Sequence, residues 1–164
     1  MGFQLVKPVI NYSVRELCYR PYYNHPHGCP NYGHRETCPP KVGLIEDILD
    51  LKKDVFAIWN IFDFQSHTKN MKQKHPNWSI RQIECCLYWQ PRARANLEMN
   101  ILYFKVEYPK SRKYIFIRNP EALGVDITAT MRSIGIELEW PPRIKTYQVA
   151  LAGESFFKEV DHEV

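Results

Sequence analysis

The stretch Lys113-Tyr-Ile-Phe-Ile-Arg-Asn-Pro-Glu-Ala-Leu-Gly-Val-Asp-Ile-Thr-Ala-Thr-Met-Arg-Ser-Ile-Gly-Ile-Glu-Leu-Glu-Trp140 decides the fold class. It opens on a β-branched and aromatic run, Lys113 to Arg118, that reads as a strand. A turn from Asn119 to Gly124 follows. Asp126 can accept hydrogen bonds from the free N–H groups of a first helical turn, so a helix is expected from Ile127 to Ser133, with Gly135 as its stop. Ile136-Glu-Leu-Glu-Trp140 then alternates apolar and acidic residues with the period of a strand. Strand, turn, helix and strand in this order form a βαβ unit, which predicts two parallel strands joined by a right-handed crossover.

Working outward, Val55-Phe-Ala-Ile-Trp-Asn-Ile-Phe62 is nearly free of polar residues and predicts a strand buried on both faces. Tyr147 to Ala152 predicts a fourth strand. Leu44, Ile45, Ile48, Leu49 and Leu51 recur at helical spacing and predict a short amphipathic helix over 41–51. Ser66 is expected to cap a helix ending near Lys74, before His75-Pro76. Ser79 is expected to cap a longer one running to Tyr103 or beyond, interrupted or kinked at Pro91. The expectation is one α/β domain over residues 1–164: a mostly parallel sheet of about four strands, flanking helices and an N-terminal metal-binding cysteine loop at 18–40.

The chain of 164 residues is 45% apolar, 24% charged and 13% aromatic, an ordinary globular balance that argues against disorder. Its N-terminus, Met-Gly-Phe-Gln-Leu-Val-Lys-Pro, lacks the apolar core of a secretory signal, and no apolar run approaches a membrane span. A cytoplasmic protein without membrane attachment is expected. Five Cys in such a chain point to metal or redox chemistry more than to disulfides. Residues 67–118 carry eleven Lys/Arg against three Asp/Glu, and residues 119–164 carry four against eight. That basic segment is either a solvated surface or a face toward an anionic small molecule or nucleic acid. Arg92 and Arg94, with Trp89 and Tyr88 nearby, are its candidate contacts, since guanidinium and aromatic faces suit phosphates and bases.

Cys18, Cys29 and Cys38 lie in a run too rich in Gly, Pro and Asn to be a helix or strand. Pro30, Pro39 and Pro40 restrict the chain just after two of the sulfurs, and Gly28 and Gly33 supply turning freedom. Several thiolates converging in one loop can hold an iron–sulfur cluster, zinc or copper. Cys-Pro steps occur at cluster ligands, and the spacing departs from the Cys-x2-Cys knuckles of structural zinc, so a four-iron (4Fe-4S) cluster is favoured over zinc. The fourth ligand is open. Cys85 and Cys86 are adjacent on the helix expected from Ser79, and Cys86 lies beside its apolar stripe of Ile80, Ile83 and Leu87, making it the better candidate. A histidine of the loop, His25, His27 or His34, would complete a zinc site, and an unfilled position would leave one iron open to substrate.

The segments Gly28-Cys-Pro-Asn-Tyr-Gly33, Cys38-Pro-Pro40 and Pro120-Glu-Ala-Leu-Gly-Val-Asp126 resemble a family described only as predicted metal-binding proteins of unknown function. The resemblance implies a cysteine-ligated metal site, an iron–sulfur cluster above all, and brings no established reaction. Relatives carry a Cys just before Pro-Glu-Ala, where this chain has Asn119. The sequence has no Walker loop, no Gly-x-Gly-x-x-Gly, no Gly-x-Ser-x-Gly and no Cys-x3-Cys-x2-Cys. Three functions stay open: a cluster enzyme using an open iron on a sulfur-containing or anionic substrate, an electron-transfer or structural cluster protein, and a zinc-stabilised nucleic-acid-binding module.

Overall fold

The computed structural model describes residues 2–22 and 25–156. Its regular elements are Gly2–Val6 (β1), Val55–Asp63 (β2), Phe64–Lys74 (α1), Ile80–Ile83 (α2), Cys86–Glu107 (α3), Tyr114–Ile117 (β3), Ile127–Arg132 (α4) and Lys145–Glu154 (β4), with short 3-10 helices between. The strands form one sheet in the order β1-β2-β4-β3, and every neighbouring pair is antiparallel. The mostly parallel sheet expected above is therefore overturned.

The error lies in Ile136–Trp140. These residues are in no strand, although Ile136 and Leu138 still pack against the core. Their alternation reports burial of every second side chain along an irregular chain, which the strand period cannot distinguish from a ladder. The segment turns instead, with the Glu139 carboxylate accepting from the N–H groups of Ile144 (2.9 Å) and Lys145 (3.2 Å). That detour lets β4 enter antiparallel to β3, pairing Ile117 with Leu151.

β2 is buried on both faces, as its apolar run predicts. Val55 and Ala57 join Leu151, Ile45, Leu49, Leu123 and Met131 on one side of the sheet. Ile58, Ala150 and Ala152 meet Leu97, Ile101 and Phe104 of α3 on the other. Alanines at the sheet centre let the helix approach closely. Each large apolar side chain buried here contributes about 1.5–3 kcal/mol.

The helix signals after β2 hold with shifts, and the one over 41–51 does not. α1 is capped by Asp63, whose Oδ1 accepts from the Ser66 N–H at 2.8 Å, not by Ser66. Ser79 and Gln82 form a reciprocal capping box at the start of α2. The long helix expected from there breaks at Glu84–Cys85, not at Pro91, which lies inside α3. Asp126 caps α4 through the Ala129 N–H at 2.9 Å, and Gly135 follows at φ +78. Residues 41–51 form only a 3-10 turn at Ile45–Asp47. β1 has no counterpart in the sequence reading.

Candidate metal centre

The cysteine loop is anchored before it begins. Tyr12–Cys18 is a 3-10 helix whose N-cap, Asn11, accepts from the Ser13 N–H and donates its own N–H to the Gly124 carbonyl at 2.8 Å. Gly124 lies beneath Tyr12, where a Cβ would come 2.7 Å from the ring. Cys18 thus leaves a fixed platform. The chain then returns, and the Cys29 N–H donates to the Cys18 carbonyl at 2.8 Å. This closure requires Gly28: its φ is +76, and a Cβ would meet the Tyr19 carbonyl oxygen at 2.8 Å. Between the two cysteines, Tyr22 and His25 exchange backbone hydrogen bonds of 3.1 and 2.8 Å.

The second half is pinned the same way. The Gly33 N–H donates to the Pro39 carbonyl (2.8 Å), and the Cys38 N–H to that of Arg35 (3.0 Å). From outside the loop, the Asn119 side-chain amide donates to the Thr37 carbonyl, one residue before Cys38. Asn119 therefore holds the Cys38 turn through its backbone.

Cys18, Cys29, Cys38, Cys85 and Cys86 are all half-buried free thiols. Burial pushes the Cys18 thiol up first, and the nearby Cys29, Cys38 and Glu121 add to this while Arg15 opposes. The Tyr22 phenol is pushed up to about 12 by burial and then by Cys29, Cys86 and Cys18. The loop reaches the head of α3 through His25, beside Tyr22. The Tyr22 ring stacks on His25 at 4.6 Å, and His25 Nε2 lies 3.7 Å from Cys86 Sγ. The Cys86 thiol is itself raised, by burial first and then by Cys85, with a backbone amide and Arg94 acting the other way.

The break before α3 changes the ground for choosing Cys86. It is the first residue of α3, and Cys85 is the N-cap, with the non-helical angles φ −58 and ψ 126, so the two are not successive positions of one helix. Cys86 sits where free N–H groups and the helix dipole favour an anion. Ligation would require the sulfurs to draw together: among the described residues, no three His, Cys, Asp or Glu side chains stand at single-ion spacing. The donor set is thiol-rich and thus chemically suited to iron–sulfur or zinc.

His27 and His34 are exposed. Trp89 is buried, its ring 5.6 Å from both Phe62 and Phe64 and its Nε1–H directed at the Glu84 carbonyl, so no face is free for a base. Arg92 and Arg94 are exposed on α3: Arg92 adds its charge near His67, and Arg94 near Cys86. The site features missed in the sequence are Tyr22 and the Tyr22–His25 stack, which no spacing rule marks. No described helix is long and apolar enough to cross a membrane. Comparison of the chain with known protein families, with curated proteins and with solved structures finds no match in any of the three.

Proposed function

We propose that Cys18, Cys29 and Cys38, with Cys86 as the fourth ligand, bind a four-iron (4Fe-4S) cluster, and that the protein is an iron–sulfur protein. The observation that carries this reading is the placing of three half-buried thiols in one hydrogen-bonded loop, which closes Cys29 on Cys18 and brings His25 to 3.7 Å from the Cys86 Sγ. Thiolate-only donors and the two Cys-Pro steps favour a cluster over a single ion. With four cysteines the cluster serves electron transfer or structure. If Cys86 does not ligate, one iron is open as a Lewis acid, and Arg94 nearby suits an anionic substrate.

Zinc is the second reading, favoured by His25, whose Nε2 approaches Cys86 and could enter a Cys3His set. Anaerobic purification with iron, sulfide and zinc analysis separates the two. About four irons and four sulfides per chain are expected, with Cys86→Ser bleaching or altering the spectrum and Cys85→Ser leaving it unchanged. Stoichiometric zinc in a colourless protein overturns the cluster. Full iron and an unaltered spectrum in Cys86→Ser assign the open-iron form.

A further inference from the structure

α3 has two apolar faces. Trp89, Ala93, Leu97, Ile101 and Phe104 are buried toward the sheet side. At about 100° per residue, the opposite face carries Tyr88, Arg92, Ala95, Met99, Leu102 and Val106. Tyr88, Met99, Leu102 and Val106 are 51, 64, 55 and 74% exposed. These positions alternate steps of four and three residues, the spacing of a helix–helix seam. A solvated helix face has no need of that pattern, and apolar side chains so exposed are costly unless covered.

We propose that this face pairs with the same face of a second copy of the chain, the two α3 helices running antiparallel about a two-fold axis level with Asn100 and Ile101. The charges beside the stripe argue for self-pairing over a foreign helix. Glu98 and Lys105 lie seven residues apart on one flank, and the two-fold brings Glu98 of each copy level with Tyr103 of the other, within two residues of its Lys105 on the same flank. The same operation sets Met99 against Leu102 and small Ala95 against Val106, and brings Arg92 toward Glu107. Such reciprocity is what an isologous interface demands. A groove of about 410 Å³ runs beside Leu102 and Val106 to Phe116, with Lys105 and Arg112 among its lining, and it gives the incoming Glu98 a basic place to sit. Within one chain Glu98 pairs with Arg118 and the Lys105 Nζ lies 4.6 Å from the Phe116 ring centroid; Lys105 remains exposed and Glu98 half-buried. A seam of about three turns falls short of the roughly 800 Å² per partner of standard interfaces, so association in the micromolar range is expected.

Sedimentation velocity of the full chain over about a hundredfold range of concentration tests this. Wild type should move from the 19.5 kDa chain mass toward twice that value. Met99→Glu/Leu102→Glu should stay monomeric with an unchanged circular-dichroism spectrum. Glu98→Lys and Lys105→Glu should each weaken association roughly tenfold, and the double reversal should return it to within about threefold of wild type. Should the Met99/Leu102 variant not fold, the charge reversals decide alone. A wild type monomeric throughout, a dimer surviving the two glutamates, or a double reversal no better than the singles overturns the proposal.

Discussion

Between Val55 and Asp63, five of nine residues of β2 are buried and two more are half-buried, on both sheet faces, and the strand pairs residue by residue with β4 from Val55–Gly153 to Asp63–Lys145. Between Cys18 and Pro40, only Gly28 and Pro39 are buried among the described residues. The loop keeps its course through single hydrogen bonds, two positive-φ glycines and the clasp of Asn119 on Thr37. One region is ordered by apolar burial, which acts with or without a cofactor. The other has little apolar surface to bury, and on the proposed function its order depends also on what its thiols hold.

The largest effect should come from breaking the sheet side. Phe104 is fully buried between α3 and the sheet, and Phe104→Ala should cost about 3–5 kcal/mol in a denaturant titration. Replacing Cys18, Cys29 and Cys38 together by Ala should leave the sheet folded. Hydrogen exchange should then show fast amides at Cys29 and Gly33, with protection retained along β2 and β4. Loss of protection in both regions at once would merge them into one cooperative unit and break the comparison.

A smaller effect sharpens it within the loop. Gly28→Ala combines a left-handed backbone with a Cβ 2.8 Å from a carbonyl oxygen. It should cost about 1–3 kcal/mol, felt as reduced metal retention with the sheet transition unmoved. Gly33→Ala has the same sign of φ, but its Cβ meets nothing within 4 Å, so about 1 kcal/mol is expected. Equal iron content in both variants would show that closure of Cys29 on Cys18 does not govern the site.

The sequence made β2, β3, β4 and the capped helices legible because each carries a local cause: an unbroken apolar run, or an oxygen before the first turn. It misled at Ile136–Trp140, where packing of alternate residues against a core imitates a ladder, and with it went the strand direction. β1 escaped notice because Gly2–Val6 is short and half exposed, and its partner, not its own pattern, makes it a strand. At the candidate centre the three loop thiols were visible as spacing. The approach of His25 to Cys86 spans 61 residues and depends on where α2 ends and α3 begins. The break at Glu84–Cys85 follows from tertiary placement and leaves no residue signature, since neither Gly nor Pro stands there.

The smallest effect concerns a group on the sheet side that burial chiefly tunes. His67 lies between Phe62 and Phe64, and burial lowers its pKa from 6.5, with Arg92 lowering it further and a hydrogen bond to the Ile83 backbone acting the other way. Because the folded value lies below the unfolded one, the unfolded chain binds the extra proton first as pH falls below about 6.5. The stability contributed by neutral His67 is thus fully present above that pH and lost as pH falls through the folded value. Thermal melts of wild type and His67→Gln between pH 7.5 and 5 should show a flatter pH slope in the variant, and Arg92→Ala should lie between them. The same slope in all three proteins would mean that acid acts elsewhere, with the half-buried loop the next place to look.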